Sequence, residues 1–186
     1  MNTAGLKLGP GSASVLDRQL SRLSRVVDRT VIIANDAGRF AAAVVPVIAD
    51  LLPDAGARGA LYTAVHAAAT DRTLVIACDM PFASEPLLAH LVDAGRWSTL
   101  RFPEPREDMN RCAPRIPAAA GELRRLIDEK RSRLGDVARI PGLVVREIAG
   151  DELNVFGPEE VLFFNLNTPD DYARAIDLDG EYHYPS

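Results

Sequence analysis

The chain has 186 residues, 47% hydrophobic and 25% charged, which suits one globular domain with a sizeable core. Its net charge of −5 offers no electrostatic footprint for nucleic acid or an anionic membrane, although a nucleotide needs only local donors and a metal. Without a membrane-length apolar run or a signal-peptide core, and with only Cys78 and Cys112, the expectation is a cytoplasmic protein with reduced thiols.

Residues 1–14 are small, polar and glycine-rich, and read as a loop around Lys7. From Ser14 the pattern turns helical, with Leu16, Leu20, Leu23 and Val27 on one face and Arg18, Arg22 and Arg25 elsewhere. Thr30-Val-Ile-Ile-Ala34 is the first convincing strand and ends at Asn35-Asp36. Val44 to Ile48 is a shorter run holding Pro46, so an edge or end strand is expected there. Asp50 and the turn Pro53-Asp-Ala-Gly-Ala-Arg-Gly59 follow, and a helix is expected from Ala60 to Ala69. A glycine turn leading into a helix lets backbone N–H groups approach an anion, and Arg58 sits within it. His66 on that helix has no second histidine or cysteine at metal spacing, so it reads as a core or surface residue.

The organising stretch is Thr73-Leu-Val-Ile-Ala-Cys-Asp-Met-Pro-Phe82. Its unbroken apolar run predicts a strand buried on both faces, as in a parallel sheet, with Asp79 at the carboxyl end. That rim is where open α/β sheets bind ligands, and a carboxylate there calls for a cation, most simply magnesium. Ser84 offers the N-cap of a helix carrying Leu87, Leu88, Leu91 and Val92. Trp97 to Phe102 suggests a strand, prolines interrupt the chain from Pro103 to Pro117, and Gly121 to Leu134 resumes a charged helical pattern. Leu143 to Ile148 and Val161 to Phe164 read as strands. After the second, Thr168 caps a helix with Pro169 at its first position and Asp171 near its third, and the tail beyond Asp177 reads as a surface extension.

Strand, helix and strand in alternation predict a three-layer α/β/α domain with a mostly parallel sheet. Three pieces together resemble the molybdenum cofactor guanylyltransferases, within the nucleotidyltransferases of GTA type. They are Val31-Ile-Ile-Ala-Asn35; Asp50 with Gly56-Ala-Arg-Gly-Ala-Leu-Tyr-Thr-Ala64 and Cys78-Asp-Met-Pro-Phe82; and Phe164-Asn-Leu-Asn-Thr-Pro-Asp-Asp-Tyr172. The resemblance implies that the domain is Rossmann-like, with GTP and molybdopterin as substrates, magnesium as cofactor, and partner proteins of cofactor biosynthesis. By the same resemblance Asn35 contacts the guanine nucleotide, Asp50 helps read base or ribose, and Gly56 heads the turn beside the nucleotide. Asp79 then is the magnesium ligand, and Asn165 and Asn167 line the site near metal and pterin. The alternative for each is a turn-former at a strand end, since Asn and Asp bond their own backbone there.

The family opens with an apolar strand and a glycine-rich loop holding Arg and Lys around the triphosphate. Nothing before Val31 reads as that strand, and Lys7 is out of register as a substitute for the loop lysine. A truncated or degenerate guanylyltransferase is therefore the reading. Its rivals are a non-catalytic nucleotide-binding or partner homologue, and a related enzyme using CTP or another acceptor. No Gly-x-Gly-x-x-Gly follows a strand, which sets a dinucleotide-dependent oxidoreductase aside.

Overall fold

A computed structural model describes residues 3–68, 70, 72–94, 99–101, 111–114, 117–129, 140, 145–148 and 150–182. The helices are α1 (Val15–Leu23), α2 (Ala57–Ala67), α3 (Glu85–Ala94), α4 (Pro117–Asp128), α5 (Asp151–Asn154), α6 (Glu159–Leu162) and α7 (Pro169–Glu181). The strands are β1 (Ile32–Ile33), β2 (Val47–Ile48), β3 (Arg72–Val75), β4 (Thr99–Arg101), β5 (Arg111–Pro114) and β6 (Val145–Glu147). The chain divides into two compact units, one of Met1–Asp28, Ile76–His90 and Ala149–Ser186, the other of Arg29–Val75 and Leu91–Ile148.

Every described strand falls in the second unit. There β1 pairs with β2 in parallel, Ile32 opposite Val47, and β4 pairs with β6 in parallel, Thr99 opposite Val145. Between β3 and β5 the pairing is antiparallel, with Arg72 opposite Pro114. Helix α2 packs beside α4 over a cluster of Leu61, Leu123, Leu126 and Ile140, to which Tyr62, Val75 and Ile127 add partly buried surface.

The first unit is built on helices. Ser14 starts α1 by accepting the Asp17 N–H on its hydroxyl at 3.1 Å, satisfying one first-turn donor. Val15 from that helix joins Leu8, Phe82, Val161, Phe164, Leu166 and Ala175 in one core cluster. The Phe82 and Phe164 rings meet edge to face with centroids 6.0 Å apart. Each fully buried leucine or phenylalanine stabilises by about 2 kcal/mol, against a median below about 1 kcal/mol for a surface ion pair. The bidentate contact of Arg18 with Asp179, whose Nη2–Oδ2 leg is 3.0 Å, is thus secondary to the packing it borders.

Several expectations are corrected. The strand through Thr73 ends at Val75, Thr73 to Val75 are half-buried, and its described neighbour β5 is antiparallel, so it is not a strand sealed between parallel partners. Beyond it the Ala77 carbonyl accepts from a Gln19 side chain, not from another strand, and exposed Cys78 lies in a turn. Val161 to Phe164 is not a strand. Val161 and Leu162 sit in α6, where Pro158 fixes the entry and Glu159 and Glu160 suit the positive helix start. A short apolar run fits a buried helical turn as well as a strand, and periodicity does not separate them. β5 lies where prolines suggested irregular chain, and it ends on Pro114 where the ring does least harm to a ladder. Residues past Asp177 continue α7 as far as Glu181 instead of forming an extension. The expected helix segment 130–134 and residues 143–144 lie outside the described residues.

Candidate functional site

In the first unit Asp79 stands in the turn that follows Ile76 and Ala77. The backbone carbonyl of Asp79 accepts the Leu166 N–H at 2.9 Å, so the segment holding Asn165 and Asn167 is fastened directly to that turn. Leu166 is fully buried in the core cluster, with half-buried Asn165 and exposed Asn167 on either side of it. Oδ1 of Asp79 and Oδ1 of Asn165 are both buried atoms, and the Asn165 oxygen meets no hydrogen-bond donor among the described residues. A buried amide oxygen left without a donor costs about 1–3 kcal/mol, a cost that a bound ligand or ion would relieve.

The Asn167 end is held by a capping box. Thr168 accepts the Asp171 N–H at 3.1 Å, and the Asp171 carboxylate accepts the N–H groups of Thr168 at 2.8 Å and Asn167 at 3.0 Å. The Thr168 hydroxyl, then the Thr168 and Asn167 backbone donors, hold the Asp171 carboxyl below the usual range by favouring its charged form.

The other expected residues gather around one segment of the second unit. Asn35 is exposed and its side-chain amide donates to the Pro53 carbonyl at 3.5 Å. Asp50 accepts the Leu52 N–H at 2.9 Å and the Thr63 hydroxyl at 2.7 Å, both on Oδ1. Thr63 in turn accepts the Leu51 N–H at 2.9 Å and is fully buried. Gly56 is the N-cap of α2 with φ 58° and ψ −141°, a conformation a side chain disfavours, and no side chain caps that helix. Asn35, Asp50 and Gly56 therefore converge on residues 50–59, whereas Asp79, Asn165 and Asn167 converge on the Asp79 turn.

Lys7 is exposed, bridges Ser14, and gives its carbonyl to the Tyr172 hydroxyl at 2.7 Å. Exposed His66 lies against the Tyr62 ring, centroids 4.1 Å apart and planes tilted by 37°, which makes it the surface residue of the two readings open to it. Three polar residues escaped sequence reading: Gln19, Arg22 and Thr63 are all buried and all bond the segments that carry the candidate residues. The signal for the first two was present. Val15, Gln19 and Arg22 recur at helical spacing, a stripe of its own beside the leucines, and Arg22 is buried although it lies off the expected leucine face.

A family model described as the MobA-like NTP transferase domain matches residues 4–137, most of the chain. The chain belongs to the MobA-like NTP transferase family. A molybdenum cofactor guanylyltransferase from Mesorhizobium japonicum is 31% identical over 90% of this chain and 84% of that protein. A protein of Pelotomaculum thermopropionicum named "Probable molybdenum cofactor guanylyltransferase" is 28% identical over 69% of this chain, and the match spans 62% of that relative's length. The crystal structure of molybdopterin-guanine dinucleotide biosynthesis protein A from Archaeoglobus fulgidus superposes with a TM-score of 0.77 at 24% identity, covering 98% of this chain and 92% of that one. The expected Rossmann-like α/β fold of this family is thereby the fold of the chain, with two of its three described strand pairings parallel. No described helix is long and apolar enough to cross a membrane.

Proposed function

We propose that this MobA-like protein transfers GMP from GTP to the terminal phosphate of molybdopterin. An oxygen of the molybdopterin phosphate attacks the α-phosphorus of GTP, the bond from that phosphorus to the bridging oxygen breaks, and pyrophosphate leaves. Such transfers depend on positioning and on neutralised charge, with no need of a protein nucleophile. The observation that carries the reading is the Leu166–Asp79 backbone bond, which sets the Asp79 turn beside the Asn165 to Asn167 segment in a chain of this family.

In this reading Asp79 and Asn165 hold magnesium. Their oxygens are hard donors, and the Asn165 Oδ1 is buried without a donor among the described residues, so the residues fit the ion. Among the described residues no cluster of three or more His, Cys, Asp or Glu is placed for a metal. Magnesium needs only one or two carboxylates and leaves the rest of its shell to water and phosphate. When bound, the ion supplies charge neutralisation at the phosphate oxygens. Asn167 orients the acceptor phosphate through its exposed amide. Asn35 and the 50–59 segment take the guanine nucleoside, with Asp50 Oδ2 toward the ribose, since Oδ1 is already committed to Leu52 and Thr63. Gly56 lets the backbone approach the nucleotide. A cytoplasmic location and partner proteins of cofactor biosynthesis belong to the same reading.

The test is pyrophosphate release by the full chain supplied with molybdopterin, magnesium and GTP, CTP or ATP in turn. Release with GTP that vanishes in Asp79→Ala and on chelation is the expected result. Binding of GTP with no turnover overturns the reading in favour of a binding protein, and faster release with CTP overturns the base assignment.

A further inference from the structure

Four backbone carbonyls in the Asp79 turn are taken by two side chains of a single helix. Gln19 Nε2 donates to the carbonyls of Ala77 at 2.9 Å and Met80 at 2.8 Å. Arg22 Nη1 donates to those of Pro81 at 2.9 Å and Ala83 at 3.1 Å. Both side chains are almost wholly buried, Gln19 at 3% exposure and Arg22 at 2%. A buried guanidinium is costly unless its donors find acceptors. Its rigid fork and the Gln19 amide together supply donors to a segment whose carbonyls have left the β ladder. The Asp79 carbonyl, between Ala77 and Met80 in the chain, is taken by Leu166.

From this geometry we infer that Gln19 and Arg22 are positioning residues, which hold the 77–83 turn so that Asp79 and the Asn165 to Asn167 segment keep a fixed mutual placement. Neither touches substrate; each acts through the backbone of the turn. The catalytic consequence rests on the function proposed above, whereas the structural consequence does not. Hydrophobic packing alone leaves a turn several ways to settle, and Met80, Phe82 and Ala83 are buried on its inner side without specifying where its carbonyls point. Four directed bonds from α1 remove that freedom.

The experiment compares Gln19→Glu, Gln19→Met, Arg22→Lys and Arg22→Met in the full chain, reading amide hydrogen exchange at Leu166 together with the steady-state kinetics. Gln19→Glu keeps the shape but, when ionised, turns a two-bond donor into an acceptor facing two carbonyls. Exchange at Leu166 should quicken about tenfold in Gln19→Glu and Gln19→Met, beyond any change at the amides of α7, as loss of turn hydrogen bonds requires. Arg22→Met should do the same, and Arg22→Lys should recover part of the protection because an ammonium still donates. In the kinetics, kcat should fall about tenfold while KM for GTP holds, because an ill-placed group costs the transition state and not ground-state binding. Equal acceleration at all amides of the unit, or none at Leu166, overturns the clamp. If Arg22→Met does not fold, Gln19→Glu and Arg22→Lys decide the matter. Failure of the wild-type chain to release pyrophosphate overturns the proposed function and leaves the exchange result to decide the clamp by itself.

Discussion

The Leu166 amide donates to the carbonyl of Asp79 across 2.9 Å, and this bond joins segments far apart in the chain. The backbone of Asp79, and not its carboxylate, makes this link to Leu166. Leu166 secures the other end by burying its side chain with Val15, Phe82 and Phe164.

Replacing Asp79 should therefore separate activity from stability. Asp79→Asn keeps size and the backbone bond to Leu166, but removes the charge that would meet a metal. Pyrophosphate release should drop by about 100-fold or more, as for loss of a principal electrostatic contact. The thermal midpoint should stay near the wild-type value. Calorimetry beside the release assay checks this, and a collapse of the midpoint with proportionate loss of activity would give Asp79 a structural role instead.

Two glycines three residues apart should respond to alanine for different reasons. Gly56 has open space where a Cβ would lie, but its φ of 58° with ψ of −141° is strained for any side chain. Gly59 has an ordinary helical backbone, yet its Cβ would run into the Leu52 carbonyl oxygen and lie 3.2 Å from Asp50 Oδ2. Alanine gains about 1 kcal/mol in helix propensity there, and a backbone clash of this kind costs about 1–3 kcal/mol. Both variants should lower the urea midpoint, but only Gly59→Ala should also disturb the Asp50–Thr63 bond, seen as an altered Thr63 methyl shift. A stabilised Gly59→Ala would show that the Leu52 turn yields freely.

What could be read in advance was local. Ser14 and Thr168 announced their helices because an N-cap is written in adjacent residues, and Pro169 with Asp171 completed the second signature. Asn165 and Asn167 could be paired with Asp79 by motif, and their nearness is a backbone fact. The illegible parts depend on distant chain. Val161 and Leu162 are helical, with Val161 docked in the core, although the composition of this run suits either state. Arg22 could be read only as lying off the leucine face, and the carbonyls of Pro81 and Ala83 that it meets belong to distant chain. Cys78 was expected inside a strand that in fact ends at Val75.

Thr63 offers a test of how the second unit holds Asp50. Its hydroxyl donates to Asp50 and accepts from Leu51, so Thr63→Val leaves both groups short of a partner while nearly preserving volume. The expected loss is about 1–3 kcal/mol in urea unfolding, because desolvated groups go unpaired. Thr63→Ser, which keeps the hydroxyl, should lose only about 1 kcal/mol for the methyl group. In an Asp50→Ala background the cost of Thr63→Val should shrink, since part of the interaction has already gone. Equal costs in both backgrounds would show that the two side chains do not depend on each other.

The capping box should give the first unit an acid-sensitive edge. Bonds from Thr168 and Asn167 hold the Asp171 carboxyl below the usual range, so its folded value lies under the unfolded value of about 3.9. For a lowered carboxylate the stabilisation is complete above the unfolded value and disappears as the pH falls through the folded one. Protection of the Thr168 and Asn167 amides should thus be constant from neutrality down to about pH 5, then decline below about pH 4. In Asp171→Asn that acid-dependent decline should be absent, because an amide has no proton to gain in this range. Exchange measured at several pH values, corrected for intrinsic rates, checks both expectations. Because Asp171 binds the Asn167 N–H itself, its protonation should loosen the Asn167 end before Leu166, whose amide is held by the Asp79 carbonyl and does not titrate. Simultaneous loss at Asn167 and Leu166 would mean that the segment opens as one piece, with the cap and the Asp79 turn acting together.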